Sequence, residues 1–176
     1  MSARLLVLRA ERLDLFPCPL AVARAALRDR GEAETLLGVH VPAGWPGEEL
    51  IGILPDYVQE LERDPSLLGW GVWVMVHRAR WRIVGDLGFK GKPDINGTVE
   101  IGYSVLPEER RQGFATEGAR TLVAWALAQP GVARIVAECV EDNIPSIRTL
   151  EKLGMQFRSA SDGFLTWELG KPTGAG

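Results

Sequence analysis

The residues with the most chemical promise sit close together between Val99 and Thr116. Arg110-Arg111-Gln112-Gly113-Phe114-Ala115 follows an alternating segment and precedes a helical pattern. A turn bearing glycine at the start of a helix makes an anion site, because the first-turn N–H groups have no partner within the helix and the macrodipole adds positive charge there. Gly113 lets backbone and ligand approach closely, and Arg110 and Arg111 can offer guanidinium forks to phosphate oxygens. Ten residues upstream of Arg110, Glu100 places a carboxylate inside the strand pattern itself. Desolvation there would raise its pKa toward the range in which a carboxylate works as a general base. Glu138, in a second strand-like run, is the weaker alternative.

These groups need elements to hold them. Val99–Val105 alternates apolar with small or polar residues, the period of a strand with two different faces, and Pro107 closes it. Ala115, Ala119, Leu122, Val123, Ala126 and Leu127 form an apolar stripe of helical period that Pro130-Gly131 ends. Arg134–Val140 reads as a strand apolar on both faces, as expected under helices on each side. Asn143–Leu153 is a helix with Asn143 as cap and Pro145 in its first turn, followed by a hairpin around Asp162-Gly163.

Upstream, Arg4–Phe16 reads as one extended segment with room for a break near Arg9–Glu11, ended by Pro17 and Pro19. A helix over 20–30 has Gly31 as its C-cap, and a second short helix over 32–37 stops at Gly38. Trp45 lies in a Pro/Gly-rich loop, either on a binding rim or packed onto the core. Glu48–Asp64 is helical with a start or kink at Pro55, and Gly71–His77 and Trp81–Phe89 are strands.

Composition bounds the class. The chain has 176 residues, 46% apolar and 24% charged, with net charge −3 and a pI near 5.5. These values fit one globular domain over residues 1–170 with a flexible tail over 171–176. The acidic balance argues against nucleic acid as a partner, and the lack of a long apolar run argues against a membrane, giving a cytoplasmic expectation. Cys18 and Cys139 fit no metal spacing and His40 and His77 are isolated, so no metal site is expected.

Arg110-Arg111-Gln112-Gly113-Phe114-Ala115 resembles the coenzyme A loop, R/Q-x-x-G-x-G/A, of the GNAT-superfamily N-acetyltransferases. A second segment is similar to the family's N-x-x-A/S and K-x-G-F positions, here Asn143, Ser146, Lys152-Leu153-Gly154 and Met155. Glu11-Arg12-Leu13, Glu100-Ile101-Gly102-Tyr103 and the stretch to Glu117 are closest to the branch of ribosomal-protein N-terminal acetyltransferases. The resemblance implies an α/β (α+β) GNAT fold, a mixed, mostly antiparallel sheet of about seven strands flanked by helices. Its central strand would splay from the next, and acetyl-CoA would be the cosubstrate. Backbone groups of Ser104, Val105 and Leu106 would pair with pantetheine. Arg110, Arg111, Gln112, Gly113, Phe114, Ala115 and Thr116 would take the pyrophosphate, with Asn143 and Ser146 nearby.

The implied reaction is direct attack of a primary amine, from a protein N-terminus or a small molecule, on the thioester in a ternary complex. Glu100 would be the base. Leu150 stands where many members have the tyrosine that protonates the thiolate, so Ser146 is the substitute. The same departure leaves open a GNAT-fold acyl-CoA-binding protein without transferase activity. Hairpin strands near Phe164–Leu169 offer an edge through which a homodimer could pair.

Overall fold

The computed structural model describes residues 6–171; Arg4, Leu5 and the tail beyond Lys171 lie outside the described residues. β1 (Leu8–Arg9) and β2 (Leu13–Pro17) lead into α1 (Leu20–Arg28), α2 (Arg30–Leu37) and α3 (Glu48–Arg63). Then follow β3 (Val72–His77), β4 (Arg82–Phe89), β5 (Thr98–Val105), α4 (Phe114–Ala128), β6 (Arg134–Val140), α5 (Ile144–Lys152), β7 (Gln156–Ser161) and β8 (Phe164–Gly170). The eight strands form one sheet in the order β1-β2-β3-β4-β5-β6-β8-β7, one more than expected. All neighbours are antiparallel except β5 and β6.

Alternation along the strands divides the core between the two sheet faces. Trp73, Phe114, Leu122, Ile135 and Leu150 pack on the α4–α5 side; Trp45, Leu54, Val74 and Ile83 pack on the α1–α3 side. Each such side chain removed from water contributes about 1.5–3 kcal/mol. α4 buries Phe114, Gly118, Ala119, Leu122, Val123 and Ala126, its spacing matching the helical period. A Cβ at Gly118 would stand 2.6 Å from the Met75 sulfur, so a larger residue there would have to displace Met75.

Several local expectations change. The break between the first two helices is Asp29, not Gly31: its carboxylate accepts from Gly31 N at 2.8 Å and starts α2. α3 runs unbroken through Pro55, because Leu50, Leu54, Tyr57 and Leu61 bury a full face while the proline sits on the exposed one. The opening segment does break near the place indicated, at Ala10–Arg12, into β1 and β2, but β2 takes in Pro17 as its last residue. β6 is buried on one face only, with Glu138 and Val140 exposed. Trp45 is a core residue, 2% exposed.

The sheet opens at its middle. β5 and β6 pair only at Thr98–Arg134, Val99–Ile135 and Glu100–Val136. Beyond that point β5 stays with β4 as far as Gly85–Val105, and β6 stays with β8 as far as Val140–Phe164. The expected splay therefore begins just after Glu100.

The chain leaving β5 is held by charge. Glu109, 3% exposed, takes two hydrogen bonds from Arg80, at 3.0 and 2.8 Å, and one from Gln112 at 3.2 Å. Arg82 stands 3.3 Å away. Burial alone would push this carboxyl up, but Arg80, Gln112 and Arg82 together hold it below 4.5. The folded group thus binds its proton less tightly than the unfolded one, so its stabilisation is complete above pH 4.5 and is lost as pH falls through the lower folded value. Glu109→Gln should cost about 1–2 kcal/mol at neutral pH, since the arginines remain partly in water. Urea midpoints measured from pH 7 to pH 3 should fall less steeply in the variant than in the parent.

Candidate active site

Gly113 caps α4 with φ +83° and no side-chain hydrogen bond, and Arg111 also has a positive φ of 61°. Alternating right- and left-handed residues turn successive N–H groups toward one side, the geometry of an anion nest. Glu117 N donates to Gly113 O at 3.0 Å and is the first helical bond of α4. Among the described residues, the amides from 111 to 116 have no acceptor in the chain. The start of α4 is also anchored from behind. Glu117 accepts from Arg12 N at 2.6 Å, Arg12 Nε at 2.8 Å and Leu13 N at 3.1 Å, and the Arg12 guanidinium lies 4.6 Å from the centre of the Phe114 ring.

In front of this nest lies a cavity of about 950 Å³. Its walls include Ser104, Val105, Arg110, Arg111, Gly113, Phe114, Ala115, Thr116, Asn143 and Ser146, most of the residues singled out from sequence. Leu106 and Gln112 do not line it. Leu106 is buried in the α1–α3 side core with its N–H donated to Val84 O at 2.9 Å. Gln112 turns its amide to Glu109 and its carbonyl to Arg12.

The direction of the β5 backbone is also settled by its partners. Lys90 N donates to Glu100 O at 3.0 Å and Leu106 N to Val84 O. Even-numbered residues of β5 therefore face β4 with their peptide groups, and the two-residue alternation turns Ile101, Tyr103 and Val105 toward the gap. The free groups beside the gap are those of Tyr103 and the N–H of Val105, whose carbonyl accepts from Arg110 Nε at 3.2 Å; they do not belong to Ser104 and Leu106 as expected.

At the far side of the gap, Asn143 Oδ1 accepts from Ser146 N at 3.2 Å, the cap that the sequence indicated. Ser146 Oγ lies 2.9 Å from the Tyr103 hydroxyl. Burial raises the Tyr103 phenol above 10.0, opposed by its bond to Ser146. Leu150 is buried, 1% exposed, within the core. Cys139 is buried as a free thiol and raised by desolvation, so it is held as the unreactive form. Among the described residues no cluster of His, Cys, Asp and Glu can hold a metal ion, and no helix is long and apolar enough to cross a membrane.

Glu100 departs from expectation. Its carboxylate is 27% exposed and ion-paired with Lys90, and it lines neither this cavity nor the next. It stands at the last paired rung, Glu100–Val136, where its carboxylate stays partly open to water beside Lys90. Glu138 is exposed.

The carboxylate in the required environment is Asp86 on β4, opposite Ser104. It lines a second cavity of about 450 Å³ between α3 and the sheet. Desolvation raises its pKa from 3.8 to about 7, with Trp45 opposing and Glu49 adding to the rise. The two cavities adjoin at β5 and share Glu49, Tyr103 and Ser104. Asp86 was visible in the sequence as the one charge in Ile83–Phe89, a signal obscured by its neighbours Gly85 and Gly88. Tyr103, Arg148 and Thr149 also line the larger cavity, and only their placement in space reveals them.

Residues 40–156 match the family model described as Acetyltransferase (GNAT) domain. The chain is 33% identical over 163 residues to an uncharacterized N-acetyltransferase, YjdG, of Bacillus subtilis (strain 168), spanning 93% of this chain and 97% of that one. Its fold is similar to that of a ribosomal-protein-S5-alanine acetyltransferase from Vibrio fischeri, with TM-score 0.67, 15% identity and coverage of 96% and 98%. It is also similar to the microcin C7 self-immunity acetyltransferase MccE, solved with acetyl-CoA and AMP, with TM-score 0.61, 15% identity and coverage of 91% and 93%. The chain belongs to the GNAT acetyltransferase family, and its splayed sheet is the GNAT fold.

Asp86 has a thermodynamic signature apart from any reaction. Its folded pKa lies above 3.8, so the stability it contributes is complete below that value and is lost as pH rises to about 7. Asp86→Asn should remove this loss, leaving the variant more stable than the parent at pH 8 by urea denaturation; equal midpoints at pH 8 would contradict the burial argument.

Proposed function

We propose that the chain transfers an acetyl group from acetyl-CoA to a primary amine by direct attack in a ternary complex. One observation carries this reading: two cavities meet at the splayed edge of β5, one with an anion nest and one with a carboxylate raised to about 7. The residues fit acetyl-CoA. The amides from 111 to 116, with Arg110 and Arg111, suit the pyrophosphate, and the Tyr103 backbone with the Val105 N–H suits pantetheine amides. When bound, acetyl-CoA supplies an acetyl thioester at the gap. MccE, solved with acetyl-CoA, shares the fold.

Asp86 then holds the proton that the amine must lose, from the α3 side of the sheet. On the opposite face, the Tyr103–Ser146 pair holds the proton that the departing sulfur needs. One N–C bond forms, one C–S bond breaks, and in net terms one proton passes from nitrogen to sulfur. This division assigns the base to Asp86 rather than to Glu100, whose charge is already matched by Lys90. It also supplies a hydroxyl where Leu150 has none, which removes the main support for a binding protein without transferase activity. A protein N-terminus and a small amine are both within this reading.

Acetyl-CoA at millimolar concentration should raise the melting temperature, as any ligand that binds the native state alone must. Gly113→Val should abolish that rise, because the residue needs φ +83° and an approach free of Cβ. In Asp86→Asn the acetyl-CoA shift should survive while kcat falls roughly 10²–10⁴-fold, and the rate should no longer climb with pH through about 7. Glu100→Gln on the same preparation should stay near the parental rate. A reversed pattern, with Glu100→Gln impaired and Asp86→Asn active, would return the base to Glu100.

A further inference from the structure

The cavity that leads to Asp86 has a distinctive charge. Glu49, Asp56 and Glu60 on α3 line it and are exposed, and their spacing of seven and four sets them along one side of the helix. Among the described residues none of the three has a cationic partner, whereas nearby Glu62, Asp64 and Glu100 are held by Arg24, Lys92 and Lys90. Lys90 is the one cation in the wall, and Glu100 already neutralises it. Between the carboxylates stands Ile53, 55% exposed, and deeper in the wall are Trp70 and Phe89, whose rings pack 5.6 Å apart.

An apolar wall ringed by unmatched negative charge selects for a ligand that is apolar along its length and positive at its ends. We infer that the acceptor is a small dibasic amine. One amine reaches Asp86, the apolar body lies along Ile53, Trp70 and Phe89, and the second, unreacting cation sits among Glu49, Asp56 and Glu60. The inference rests on the amine-acetylation reading and narrows its acceptor. A monoamine of equal length would leave the rim unmatched, and a peptide N-terminus with uncharged side chains would do the same.

The test compares hexamethylenediamine with hexylamine and with an uncharged peptide, at saturating acetyl-CoA. The diamine should lead hexylamine by about tenfold or more in kcat/KM, beyond the factor of two from its paired amines, and raised salt should shrink the lead. In the double variant Asp56→Asn, Glu60→Gln the ratio should fall toward that factor of two. Equal rates for the two amines, a better rate for the peptide, or a ratio unmoved in the double variant would each overturn the inference. Melting curves in the presence of coenzyme A supply a readout that needs no turnover. If no amine is acetylated, the amine-transfer reading fails, and the dibasic inference is then decided by whether the diamine raises the melting temperature more than hexylamine; no difference overturns it.

Discussion

The loss of pairing between β5 and β6 after three rungs governs the rest of the molecule. A parallel pair that continued would consume the backbone groups of Tyr103 and Val105 and close the gap between the cavities. Instead each strand keeps a partner on its far side, β4 for one and β8 for the other, so the break strands few peptide groups in the interior. The α4–α5 side core spans the break, with Ile101 and Ile135 packed beneath the same helix surface. The opening is therefore held by packing rather than by hydrogen bonds across it.

Two carboxylates on neighbouring strands show how environment sets the cost of a charge. Glu100 and Asp86 both belong to the middle of the sheet. Glu100 meets Lys90 at an edge that water reaches, while Asp86 sits beneath α3 with an indole and another acid as neighbours. Sequence shows a charge in a strand in both cases. Only the packing of a distant helix decides which charge is costly to keep.

How much was legible follows the same boundary. The nest of α4, the Asn143 cap and the hairpin at Asp162-Gly163 depend on residues close in sequence, and each stood in the pattern. The break between α1 and α2 was misread because a carboxylate reaching two residues ahead outweighed a glycine. The helix does not start at Pro55, because a buried face of four large side chains outweighs one missing hydrogen bond. The Tyr103–Ser146 contact joins residues 43 positions apart, and no local rule predicts it. The acidic cavity is of the same kind, since α3 carries no motif and acquires its role only by lying over β4 and β5.

Two glycines in that cavity, Gly52 on α3 and Gly102 on β5, have no atom within 4 Å of where a Cβ would stand. Neither is needed for a left-handed backbone or a close approach. Both mark unfilled space in that cavity, where a side chain would enter the void without disturbing the core. In evolutionary terms the cavity can be reshaped by one codon at a time, at sites uncoupled from the packing of the sheet.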